Sequence, residues 1–475
     1  MDRSLLIAAL AALTAPVAAQ VPLQQLDPVV APGGRLNASL TASPGLAAAT
    51  FVDVANTPIR ILRQDLFLGL TPYMFLLDAG LIPASGVRTT SLPIPNQAAL
   101  HGLVLHAQGF VLTPLDPFLP IQLSNPASTA IVGTSLMIAE SFDVPSQRHS
   151  GEFDRSVSGR LQALPLRTRL VRVGAMSSQA QRFSSGVHAT LNPQGVRGHY
   201  VLRDTDLGGT GRREALLALH WKPHLTPLVT DSFEQLELLA GHSLVVPDPT
   251  IDPFTLLPKY PNSGLSNVFA NNVLGATVSL YKGGYIVRQS LLRSDGYVPF
   301  PDLRPFVWDG TRSLLLEWRT RPSQTATGAN GMSGYLNVLS YHKPAFMAQA
   351  IGQPAAPVDP DKVTQCLDKD ANNFALDLQV ELGTLDSIAE SQWLKAPKSG
   401  PDYQTPIVAA VVPQGATVLV EYRGSRTGGG TLPTAWSANI DAIDGYDYLQ
   451  YRVTLGLSPA SFRAPSIDVL VIPVR

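Results

Sequence analysis

Residues 416–425 read ATVLVEYRGS, and residues 276–289 read ATVSLYKGGYIVRQ. Both are short apolar or alternating runs, and alternation is the period that turns one side of an extended chain to a core and the other to water. Similar short apolar or alternating runs recur along most of the sequence between clusters of Gly, Pro, Asn and Asp, which mark turns. Few windows keep a helical period. The clearest, GRREALLALHW at 211–221, fits either a short helix or a strand entered from a turn. The expected fold is therefore all-β, with two or three β-sandwich domains, jelly-roll or immunoglobulin-like, in tandem.

The N-terminus, MDRSLLIAALAALTAPVAAQ, has one arginine, an apolar run from Leu5 to Leu13, and small residues at Val17 and Ala19. This is the pattern of a secretory signal peptide spanning 1–19, with cleavage before Gln20. The apolar run is too short for a bilayer core that needs about 20 residues, so no transmembrane segment is expected. The expected location is outside the cell or at the cell envelope.

Composition agrees with that setting. Charged residues make up 15% of the 475, with 38 Gly and 40 Pro, against about 25% charge in an average soluble chain. A net charge of −1 speaks against general nucleic-acid binding, which needs a basic footprint. The lone cysteine, Cys366, rules out an intramolecular disulfide, and its neighbours in TQCLDKD include two aspartates, a poor setting for a thiolate.

Turn signals divide the mature chain into an N-terminal β-domain at 20–133, a central β-sandwich domain at 134–346, a linker at 347–359 rich in Ala and Pro, and a C-terminal β-sandwich domain at 360–475. WDGTRSLLLEW (308–318) and IDGYDYLQYRV (443–453) each set an Asp-Gly turn before a strand, with Leu314 and Leu449 at the same offset.

Several of these segments carry a resemblance. SFDVPSQRHSGEF, FEQLELLAGHSL with LSNVFANNVLGATVSLYKG, and WSANIDAIDGYDYLQYRVTL with PSIDVLVIP resemble recurring segments of large, uncharacterised secreted bacterial proteins built from β-sandwich modules. The front segment, SLPIPNQAALHGLVLHAQGFVL with IQLSNPAS, is similar to another β-module of such proteins. The resemblance implies secretion and fold, and transfers no catalytic residue.

LHWKPHLTP at 219–227 raises the question of a zinc site, with His220, His224 and His242 as ligands. Pro223 bars the helix that would align the first two, and no glutamate lies near enough to His224 to act as a local base. Strand alternation instead puts Leu217, Leu219 and Trp221 on one face and a solvent-facing His220 on the other. Calcium is the better metal expectation, because hard oxygen ligands alternate along three loops: Asp204 and Asp206; Asp368, Asp370 and Asn372; and Asp441, Asp444 and Asp447. None completes an EF-hand, since Asn373 and Gln379 stand where glycine and glutamate belong. Turn capping is the simpler role for these residues. No other cofactor is expected.

There is no G-x-S-x-G elbow, phosphate loop or dinucleotide fingerprint. Glycoside hydrolysis needs only two carboxylates, and Glu317 and Glu421 are the most strand-like glutamates; a solvent-facing residue paired to Arg or Lys explains each more simply. From Arg148 to Arg213 eleven arginines face four acids, read as exposed strand residues or as a face for anionic polysaccharide. The function expected is that of an exported, non-catalytic protein, structural or binding polysaccharide or another envelope protein. A secreted hydrolase using carboxylates on a sandwich scaffold is the alternative, and a sheet face lined by Trp and Tyr against two facing carboxylates would tell them apart.

Overall fold

A computed structural model describes residues 21–475 apart from 58, 62–63, 114–119, 134–135, 141, 143–147, 156–158, 174–181, 188–195, 224–230, 247–265, 267, 321–335, 343–346, 353–359, 366–373 and 430–431. The chain is nearly all β: strands make up 55% of it and no helix of seven residues occurs among the described residues. The expected signal peptide and Cys366 lie outside the described residues. By internal contact the chain forms two compact units, one made of Met1–Pro165 with Ser387–Arg475, the other of Leu166–Asp386.

In the first unit, Leu23–Leu26, Arg35–Thr41 and Val87–Pro93 form a three-stranded sheet. Val29–Val30, Ile121–Ile131, Val104–Leu112, Ala47–Asp53 and Phe75–Leu81 form a five-stranded one. Alternation explains their facing sides: Leu36, Ala38 and Leu40 of RLNASLT are buried while Asn37 is exposed. Leu36 shares a core with Val52, Leu105, Ala107 and Ile131 of the larger sheet.

The rest of this unit is assembled from segments far apart in sequence. Ser466–Pro473 pairs with Met137–Glu140, with Leu161–Gln162 and with Ile407–Val411. It is buried along its whole length, Ser466 and Asp468 included. Thr417–Ser425, the opening stretch of alternation, pairs with Tyr448–Gly456 over nine residues.

In the second unit, one sheet holds Arg167–Val173, Leu378–Thr384, Glu214–Trp221, Val298–Pro299 and Phe306–Trp308. Another holds Leu274–Val287, Asp231–Ser243, Ser313–Thr320, Val196–Leu202 and Met347–Gly352. Leu216, Leu219, Trp221, Val380 and Leu382 of the first meet Tyr200, Leu236, Leu238, Leu314, Leu316 and Trp318 of the second in one core.

GRREALLALHW resolves as a strand, with a register irregularity between Leu216 and Ala218. That bulge changes the facing set: Leu216 joins Leu219 and Trp221 in the core, and Leu217 is only half-buried. Met347–Gly352, within the stretch read as a linker, is a strand paired to Val196–Leu202. Ladder hydrogen bonds need no particular side chain, so its Ala-rich sequence gave no signal.

Candidate binding groove

The three-stranded sheet forms one wall of a groove of about 670 Å³ in the first unit, and the Asn125–Ser128 stretch with Asp468 and Val469 forms the other. Cross-strand register sets Asn37 opposite Ser91 and Ser39 opposite Thr89, so their short polar side chains share the face opposite the Leu36 core. They are oriented by one another. Asn37 donates from its backbone N and Nδ2 to Asp27 Oδ2 at 3.0 and 2.8 Å. Ser91 Oγ donates to Asn37 Oδ1 at 2.9 Å, and Arg35 Nε donates to Ser91 Oγ at 3.0 Å. The Asn125 side chain joins the two walls by bracketing the Gln24 backbone: Gln24 N donates to Asn125 Oδ1 at 2.8 Å and Asn125 Nδ2 donates to Gln24 O at 2.9 Å.

The deep wall is a buried polar chain. Ser128 Oγ donates to Asp468 Oδ2 at 2.7 Å and lies 2.8 Å from His106 Nδ1. Arg160 Nη2 stands 3.5 Å from Asp468 Oδ1. All four side chains are buried. Burial pushes the His106 imidazole down, against the pull of Asp468 and Asp53. The order of contacts is not that of a hydrolase triad. Ser128 Oγ donates to a carboxylate, and the His106 Nδ1 beside it also lies 3.5 Å from Asn56 Nδ2. The trio braces the groove wall.

The other singled-out residues lie elsewhere. Asp206 pairs with Arg203 at 2.6 Å. Asp444 Oδ1 accepts from Tyr403 N at 2.8 Å and Asp447 Oδ1 from Gly400 N at 2.9 Å, which are turn-holding roles. Asp204 is half-buried and Asp441 exposed. Asp368, Asp370, Asn372 and His224 lie outside the described residues. Among the described residues no group of three or more His, Cys, Asp or Glu side chains converges. His220 is not solvent-facing: it is 7% exposed, and its Nε2 lies 2.8 Å from Arg293 Nη1. His242 belongs to the other sheet of its unit, where its Nε2 accepts from Asp309 N at 3.2 Å.

Glu317 also departs from the solvent-facing expectation. It is 1% exposed, bonded by Arg197 Nε at 2.6 Å and Arg319 Nε at 2.7 Å, with His199 Nε2 at 3.2 Å. Burial would raise its carboxyl, but His199, Arg319 and Arg197 outweigh that and hold it at about 2. A carboxyl so acidic cannot serve as a general acid near neutral pH. Glu421 pairs with Arg452 across the strands at 2.7 Å.

Five arginines of the run pair with carboxylates outside or far along it, four of them tens to hundreds of residues away. Arg169 pairs with Glu214, Arg172 with Asp377, Arg197 with Glu317, Arg213 with Asp386, and Arg148 with Glu140.

No protein-family model matches the chain, and no curated protein sequence matches it. It is similar, at 9% identity and a TM-score of 0.14, to a solved structure concerned with the promiscuous specificity of carbohydrate-binding modules of the β-sandwich superfamily; the match covers 68% of this chain and 99% of the other. At that TM-score the likeness carries no weight for fold or ligand. No helix among the described residues is long and apolar enough to cross a membrane.

Proposed function

We propose that this protein is an exported, non-catalytic binding protein and that the groove of the first unit takes a glycan chain. The observation that carries this reading is the groove's lining of amide and hydroxyl groups on Gln25, Asn37, Ser39, Thr89 and Ser91. Such groups both donate and accept, as sugar hydroxyls do, and strand pairing holds them in place, which lowers the ordering cost of binding. Asp27 and Asp468 are the carboxylates of the lining. Each holds a neighbouring groove residue in place, the first Asn37 and the second Ser128. Calcium has no part in this reading.

The test is calorimetric titration of the mature protein with neutral oligosaccharides. Binding should weaken about fivefold or more in Asn37→Ala and in Thr89→Ala, the scale of about one neutral hydrogen bond, 1 kcal/mol. Absence of binding across neutral polysaccharides, or unchanged affinity in both variants, would refute it.

A further inference from the structure

A second face of the first unit has different chemistry. Arg423 stands opposite Gln450, Leu394 opposite Leu449, and Tyr422 bridges Ser437. Trp393, Gln450, Arg423 and Trp436 therefore form one row across the sheet, and Glu421 with Arg452 the next. The Arg423 guanidinium lies 4.3 Å from the Trp436 ring centre and 5.4 Å from that of Trp393. Arg452 lies 4.7 Å from the same Trp436 ring. The tryptophans and both arginines are half-buried. Gly429, in the turn after Thr417–Ser425, lies against the row: its φ is +95°, and a Cβ there would collide with Trp393 Nε1.

Charge is in surplus here. The arginines of 148–213 named above each face a carboxylate, whereas Arg423 donates from Nε to the neutral Gln450 Oε1 at 2.8 Å. Its terminal nitrogens have no hydrogen-bond partner among the described residues. Lys395, two residues beyond Trp393 and so on the same side of its strand, is exposed beside the row. Against these cations the row holds one carboxylate, Glu421, taken by Arg452.

We propose that this face is a second binding site, independent of the groove, and that its ligand is an anionic polysaccharide bearing carboxylate or sulfate groups. With guanidinium groups seated over the rings, a sugar ring cannot stack there without displacing an arginine. The donors left over are guanidinium N–H groups, in the planar fork that carboxylate and sulfate oxygens match, beside positively polarised ring edges. The row is a single line of side chains across the sheet, which suits one extended chain. Nucleic acid would need a far wider basic surface than a chain of net charge −1 provides.

The test uses the full mature chain with polygalacturonate, heparin, and polygalacturonate whose carboxylates have been methyl-esterified. Both anionic polymers should bind, more weakly as salt rises, and esterification should cost about tenfold or more. Arg423→Gln should cost about tenfold and Lys395→Gln about twofold to threefold, while the groove variant Asn37→Ala leaves this affinity unchanged. Equal binding of the esterified polymer, unchanged binding in Arg423→Gln, or no binding of either polyanion would overturn the proposal. Because Arg423 is packed, a loss accompanied by a lowered melting temperature is read through Lys395→Gln, whose side chain is exposed; no loss there would also overturn it.

Discussion

Glu317 shows how far a single residue's environment can depart from its local sequence. LLLEWRT places it correctly on the face opposite Leu316 and Trp318, which enter the main core. That second face is covered as well: Phe269 packs against His199 at 4.6 Å between ring centres, and Arg197 donates to Val363 O. Alternation reports which residues share a face, never whether that face is wet. Removing the charge should be costly, since Arg197 and Arg319 would be left with one partner fewer in a dry site. Glu317→Gln is expected to lose about 3 kcal/mol in urea unfolding. The pH dependence has a definite sign. His106, His199 and His220 are all pushed below the usual 6.5 by burial, so the unfolded chain binds more protons and stability falls as pH drops through about 6.5. Glu317, held at about 2 against 4.5, adds stability present above its unfolded value and lost as pH falls toward 2. The melting temperature should therefore be lower at pH 5 than at pH 7.5 and lower again at pH 3.5, with the last step reduced in Glu317→Gln. A melting temperature flat between pH 7.5 and 5 would contradict the histidine part.

At the scale of elements, the paired Asp-Gly turns are where sequence and structure agree most closely. Gly310 and Gly445 have φ of +72° and +78°, and each turn leads into a strand, Ser313–Thr320 or Tyr448–Gly456. Leu314 and Leu449 are fully buried. The two glycines nevertheless differ in surroundings: a Cβ at Gly310 would sit 2.2 Å from Arg212 O, while one at Gly445 meets nothing within 4 Å. Gly445→Ala should then cost about 1 kcal/mol of backbone strain, and Gly310→Ala clearly more, with backbone forced to move. Comparison of urea midpoints checks this, and equal losses would count against it. The Glu214–Trp221 strand was less legible. Its alternation slips at the Leu216 to Ala218 bulge, which arises from pairing with Leu378–Thr384, about 160 residues later, and so leaves no mark in the local pattern.

For the whole molecule, contact joins Met1–Pro165 to Ser387–Arg475 and leaves Leu166–Asp386 as its own unit. The expected boundaries at 134 and 360 came from composition and turns, which mark where a chain bends but not what it pairs with. A fragment of residues 166–386 contains its entire main core and should unfold cooperatively by itself. A fragment of 21–165 lacks Ser466–Pro473, the strand to which Met137–Glu140 and Leu161–Gln162 pair, and should be markedly less stable. Thermal melts of the two fragments decide this; a non-cooperative 166–386 would refute it. The sequence by itself determined the β character, the turn positions, the inner faces of Arg35–Thr41 and Thr417–Ser425, and the scarcity of charge, because each follows from residue type and spacing along a few consecutive positions. Only the tertiary structure decided that Arg169, Arg172, Arg197 and Arg213 pair with acids distant in sequence, that Asn37, Ser91 and Asp468 line one groove, and that Trp393, Arg423 and Trp436 fall in one row. Those groupings depend on strand register between segments tens to hundreds of residues apart, and register is fixed by packing that no local window contains.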